Sequence, residues 1–137
     1  MRNFYKLPIG ALNVPLMVEV MRNQNEIFDE NGNAKTLPPD TKKVALGVMQ
    51  VTNGEALENV VLRRIGHDQK YPIPSAKVAG YDDYVAILSG QVMWLIGDEC
   101  PAFNAGEVWW VNNKLDAVAV NKSGDDVVFI GIAIKTN

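Results

Sequence analysis

From Lys43 onward the chain is a succession of short runs rich in Val, Ile, Trp and Tyr, each closed by Gly, Asn or Asp. β-Branched and aromatic side chains suit a pleated, half-buried surface, and the turn residues end each run before a helical period is established. Val44–Val51, Glu58–Ile65, Tyr84–Leu88, Val92–Ile96, Glu107–Val111, Ala117–Val120 and Val127–Ile134 read as strands. Asn53-Gly54 turns between the first two, and Ser89-Gly90 reads as the turn of a hairpin. Gly66 to Gly80, which contains Pro72 and Pro74, reads as a proline-rich connection. Many short strands joined this way imply an all-β chain, either a closed antiparallel barrel or a two-sheet jelly roll. Gly10, Gly32 and Gly47 never reach the spacing of a dinucleotide-binding or phosphate-binding loop.

The first third has a different texture. Residues 1–17 form an arm punctuated by Pro8, Gly10 and Pro15, suited to lying on the barrel or on a neighbour. A short helix is expected over Pro15–Ile27, where Leu16, Val20 and Ile27 share a face. Asp29 to Asp40 is a loop, with a tight-turn signal at Glu30-Asn-Gly32 and a block to pairing at Pro38-Pro39. The expected organisation is therefore an N-terminal arm, helix and loop over 1–42, packed on a barrel over 43–137.

A chain of 137 residues with 47% hydrophobic residues has the length and composition of one folded domain. Its formal charge of −3 and scattered basic pairs, Lys42-Lys43 and Arg63-Arg64, argue against a nucleic-acid face. Cys100 is the single cysteine, so no intrachain disulfide or cysteine zinc cluster forms, which fits a reducing, cytoplasmic setting. Lys6, Pro8, Pro15 and Glu19 interrupt the apolar pieces of the N-terminus, and no run is long enough for a membrane helix.

Three pieces of the second half carry a family likeness: Gly97-Asp-Glu99, then Ala105-Gly-Glu-Val-Trp-Trp-Val-Asn-Asn113, then Asn121-Lys-Ser123. The stretch from Val60 to Ile134 resembles the aspartyl/asparaginyl beta-hydroxylase-like domain, a cupin with a double-stranded β-helix fold. The resemblance implies a cupin-like jelly-roll barrel. In that family two histidines and a carboxylate hold Fe(II), leaving positions open for 2-oxoglutarate and oxygen. Carried over position by position, the first histidine and its carboxylate fall near Pro74 and Ala76, and the second histidine at Ala117. The arginine that grips 2-oxoglutarate falls at Val127, a nearby histidine at Phe129, and further polar positions near Asp82 and Tyr84. The sequence holds one histidine, His67, so the triad is absent and neither metal nor cofactor is expected.

Other chemistry finds little to build on. His67 and Asp68 are adjacent and read as turn residues; a weak Mn²⁺, Mg²⁺ or Ca²⁺ site would need Asp82, Asp83 or Asp116 to join them. Cys100 precedes Pro101 with no second histidine to activate it, and Ser75, Ser89 and Ser123 read as turn residues. Glu99 and Glu107 would serve as an acid/base pair only at the right separation, and Glu107 reads instead as a rim residue accepting backbone or tyrosine donors. Trp109 and Trp110 face opposite sides of one strand, with Trp94 in a neighbouring strand. Ala117, Val127 and Phe129 suit a cavity that has become hydrophobic core, because unpaired buried charge is costly.

The reading placed first is a non-catalytic barrel acting through protein–protein contacts or self-association. The resemblance, whose family has many phage-encoded members, implies a structural (virion) or accessory role in host cytoplasm or particle. The alternative is a small-molecule-binding cupin, its pocket rimmed by Asn112, Asn113, Asp116 and Asn121 and its aromatic contacts drawn from Trp94, Trp109 and Trp110. A residual Fe(II)/2-oxoglutarate-dependent hydroxylase comes third.

Overall fold

Val127 to Lys135 shows most directly how the sequence becomes a barrel. This nine-residue strand is apolar at nearly every position, which suits a strand buried on both faces. In the computed structural model, which describes residues 2–8, 28–35, 57–76 and 79–136, it lies inside a five-stranded antiparallel sheet. The helix expected over Pro15–Ile27, the strand over Val44–Val51 and the turn at Asn53-Gly54 lie outside the described residues.

Nine strands follow in order among the described residues: β1 (Phe4–Lys6), β2 (Leu57–Ile65), β3 (Lys70–Ile73), β4 (Tyr81–Ser89), β5 (Gln91–Ile96), β6 (Ala102–Asn104), β7 (Val108–Val111), β8 (Ala117–Val120) and β9 (Val127–Lys135). The larger sheet runs β1-β7-β4-β9-β2, and the smaller, four-stranded one runs β3-β8-β5-β6. The expected all-β, two-sheet jelly roll is what forms.

Two readings need correction. Ser89-Gly90 is not a hairpin turn, because β4 pairs with β7 and β9 while β5 pairs with β6 and β8. The chain instead turns a corner there and crosses to the other sheet. Gly90 makes the corner with φ 76°, and a Cβ there would lie 2.7 Å from the Asp126 carbonyl oxygen. The proline-rich connection also contains a strand, β3, which pairs with β8 from Lys70 opposite Val120 to Ile73 opposite Ala117. Pro72 is tolerated because β3 is an edge strand, where a missing N–H costs no ladder bond on the open side.

The arm contributes structure too. Phe4, Tyr5 and Lys6 pair with Val111, Trp110 and Trp109, making β1 the edge of the larger sheet. Residues 28–35 hang on β2 through Ala34 N–H to Leu62 O (3.2 Å) and Arg64 N–H to Gly32 O (2.9 Å).

Alternation along the strands sorts side chains into two apolar layers. Between the sheets, Ile65, Val85, Ile87, Val111, Val127 and Phe129 meet Val92, Trp94, Ile96, Phe103, Ala117 and Ala119. On the outer face of the larger sheet, Val60, Leu62, Ala86, Leu88, Val108, Val128, Ile130, Ile132 and Ile134 form a second buried layer with Phe28. Burying each Val, Ile, Leu or Phe contributes about 1.5–3 kcal/mol, so the two layers dominate stability.

Candidate functional site

The interior is solid at one end of the barrel and open at the other. Toward the β2–β3 turn, Ile65, Ile87, Val92, Phe103 and Val127 fill it, each 2% exposed or less. Toward the opposite end the inward positions become small or polar: Gly131 and Ala133 on β9, Asn59 on β2, Asp83 on β4, Asn113 after β7. They surround a cavity of about 270 Å³. Its apolar wall includes Val61, Ile73, Val85, Val111 and Phe129, and Trp94 lines it as well. Val61 and Leu115 are large apolar residues in this wall that remain 44% and 40% exposed.

Strand parity explains which charges enter. On β2 the outward residues are Val60 and Leu62, which puts Asn59, Val61, Arg63 and Ile65 inside. On β4, Val85 and Ile87 face the core, so Asp83 does as well. The Arg63 guanidinium carbon sits 3.2 Å from the centroid of the Tyr71 ring, a cation–π contact. Burial lowers the Arg63 pKa, while Tyr71 and Asp29 act to hold its charge.

Asp83 is less well compensated. Burial pushes its pKa up; a hydrogen bond from Asn113 opposes the rise, and the neighbouring Asp82 charge adds to it. Asn113 Nδ2 also donates to the Tyr81 carbonyl at 2.8 Å. Ala76 N–H donates to Asn113 O (2.7 Å), and Ser75 N–H to Asp116 Oδ1 (2.7 Å), drawing the segment after β3 along the mouth. Beside Asp83, Tyr84 is held neutral up to about pH 12, first by burial and then by Tyr5 and Asp82.

Of the six residues expected to bind, Trp94 and Asn113 belong to the described cavity wall; the other four do not. Trp109 stacks on Phe103 (4.5 Å between centroids) and donates Nε1–H to Glu107 at 3.2 Å. Trp110 faces the other way, stacked on Tyr5 (4.9 Å) and donating to Asp82 at 3.3 Å. Asp116 braces the Ser75 backbone. Asn121 is fully buried at the solid end, where it donates to the Ile65 and Asp125 carbonyls (2.9 and 2.7 Å) and accepts from Ser123. Its side chain closes a turn there, apart from the described cavity wall. Asn112 does line the cavity, and its Nδ2 donates to Asn3 at 3.2 Å.

Trp94 is 2% exposed, stacked on Phe103 at 5.4 Å and edge-on to Phe129 at 6.1 Å. Its indole Nε1–H is buried and has no hydrogen-bond partner. Such orphaned donors are rare in folded interiors.

The Fe(II) centre implied by the resemblance does not fit these residues. Pro74 and Ala76 sit in the cavity wall, and Ala117, Val127 and Phe129 in the core, none offering a metal donor. His67 lies in the turn after β2, its Nδ1–H given to the Ser123 carbonyl and its Nε2 3.1 Å from Asp68. Among the described residues no three His, Cys, Asp or Glu side chains converge on one point. The carboxylates considered for acid/base work are separately engaged. Glu99 accepts from Asn3 at 3.1 Å. Burial would raise the Glu107 pKa, but donors from Asn104 and Trp109 and the charge of Lys6 outweigh it and leave the pKa lowered. Glu107 is thus the rim residue expected, with tryptophan in place of tyrosine as donor. Cys100 is exposed.

No protein-family model and no curated protein matches the sequence. Solved structures match its shape. One is the Cupin_2 domain of an XRE-family transcriptional regulator from Enterobacter cloacae, with TM-score 0.52 and 12% identity over 57% of this chain and 81% of that one. Another is a predicted oxalate decarboxylase from Thermotoga maritima, with TM-score 0.50 and 13% identity over 66% of this chain and 73% of that one. The fold is a cupin, a double-stranded β-helix. At these identities the likeness extends to the fold alone, and a regulator and a predicted enzyme share it.

Arg63 and Asp83 are the wall residues that motif reading passes over. Arg63-Arg64 looks like a surface pair, yet strand alternation sends one member inward and the other over the Phe28 ring. A charged residue on the inward parity of an otherwise apolar strand is the signal that finds both.

Proposed function

We propose that this chain is a small-molecule-binding cupin that holds its ligand in the mouth cavity and performs no reaction on it. The observation that carries the reading is the pair of charged residues, Arg63 and Asp83, set in a concave wall that is otherwise mostly apolar. Desolvating charge costs free energy, and a fold tolerates the cost where a ligand recovers it.

Native mass spectrometry of gently purified protein tests this directly. The expected spectrum shows an organic adduct that disappears in Ala133→Trp, which plugs the mouth. Protein that never carries an adduct, from any expression source, would count against the reading.

A second reading, contact with another protein or another copy, has its own support. Leu95 is 41% exposed on the outer face of the smaller sheet, cross-strand from Val118, which in turn faces Pro72. An assembly lost on Leu95→Glu, seen by sedimentation, would favour it. Unchanged monomer in both proteins would remove it.

A further inference from the structure

The geometry points to a small organic cation, an amine carried on an apolar body, as the ligand of the mouth cavity, with Asp83 as its counter-ion. This rests on the ligand-binding reading above and adds the ligand's chemical class.

The two charges in the wall differ in what they already have. Arg63 lies against the Tyr71 ring and feels the attraction of Asp29. An arriving anion would have to compete with Asp29 for its charge. Asp83 is half-buried, and its described hydrogen-bond partner is the neutral side chain of Asn113. No ion pair among the described residues includes it. Asp82 beside it deepens the negative potential. The unmet demand in the cavity is therefore for a cation, and charge-assisted hydrogen bonds to a carboxylate are the strong ones.

The rest of the wall describes the body of that ligand. Val61, Val85, Val111 and Phe129 offer apolar contact, and aromatic faces also favour a cation nearby. A volume of about 270 Å³ corresponds to roughly nine waters, room for about ten non-hydrogen atoms. Trp94, which also lines the cavity, adds aromatic surface to this wall.

Three probes of matched size separate the charge states: phenethylamine, phenethyl alcohol and phenylacetate, titrated calorimetrically into the full chain at neutral pH. The amine is expected to bind about tenfold or more tighter than either of the others. Asp83→Asn, nearly isosteric, is expected to remove that preference, weakening the amine at least about tenfold relative to the alcohol in the same variant. Equal or tighter binding of the alcohol or the carboxylate overturns the cation assignment and leaves the ligand-binding reading standing. So does amine binding that folded Asp83→Asn does not weaken. Should that variant fail to fold, the ranking of probes on the unmodified chain still decides. No binding by any probe at millimolar concentration also overturns the assignment, and the copurified adduct then judges the ligand-binding reading separately.

Discussion

A carboxylate facing the inside of a barrel strand, as Asp83 does, loses water when the chain folds and gains only an amide from Asn113 in return. Its raised pKa means the folded state binds the proton more tightly than the unfolded one, so the charged form at neutral pH weighs against folding. Asp83→Asn is therefore expected to melt at a higher temperature than the parent at neutral pH. The advantage should fade as the pH falls through the raised Asp83 pKa, where the parent's carboxyl becomes neutral as well. Melting curves across an acid series check both signs. Tyr84 supplies the alkaline counterpart. Its folded pKa of about 12 against 10.0 unfolded predicts stability lost progressively above pH 10, and Tyr84→Phe should flatten that loss. Trp94 poses a different question, because its orphaned N–H is a cost carried inside a large apolar contact. Trp94→Phe removes donor and volume together and should cost less than about 2 kcal/mol, whereas Trp94→Ala should cost about 3–5 kcal/mol. Chemical denaturation of the two variants separates these contributions.

At the scale of elements, Gly90 marks where local signals mislead. A Ser-Gly pair between two apolar runs says that the chain turns; it does not say whether the flanking strands pair. Here the turn carries the chain between sheets, and the Asp126 carbonyl packed 2.7 Å from where a Cβ would stand makes the corner intolerant. Gly90→Ala should destabilise by about 1–3 kcal/mol, measured by thermal melting. The long apolar runs of β4 and β9 are legible in the sequence because burial on both faces leaves little room for polar residues. β3 is hidden because Pro72 and Pro74 weigh against a strand unless the edge position is known, which only the completed sheet reveals. The cavity has a similar status. Its charged residues stand at readable parity, but that the inward positions of β9 turn small, at Gly131 and Ala133, matters only once β2 and β4 are known to flank it. Asn121 lies apart from that cavity, its side chain closing the turn that follows β8.

Seen whole, the barrel winds its chain back and forth: β4 in the larger sheet, β5 and β6 in the smaller, then β7, β8 and β9 in alternate sheets. Nearly all strand pairing is therefore distant in sequence, a pattern associated with slow, cooperative folding. Hydrogen exchange should be slowest in β4 and β9, each flanked on both sides, and fastest at β1, a three-residue edge. The position of the last two strands has a consequence for synthesis. β8 fills the gap between β3 and β5, and β9 the gap between β4 and β2. A chain made only as far as β7 holds the members of two half-sheets, each missing an interior strand and each leaving strand edges unpaired. The larger sheet is continuous only once β9 joins β4 to β2. The cavity shares that dependence, because Phe129, Gly131 and Ala133 of β9 form part of its wall.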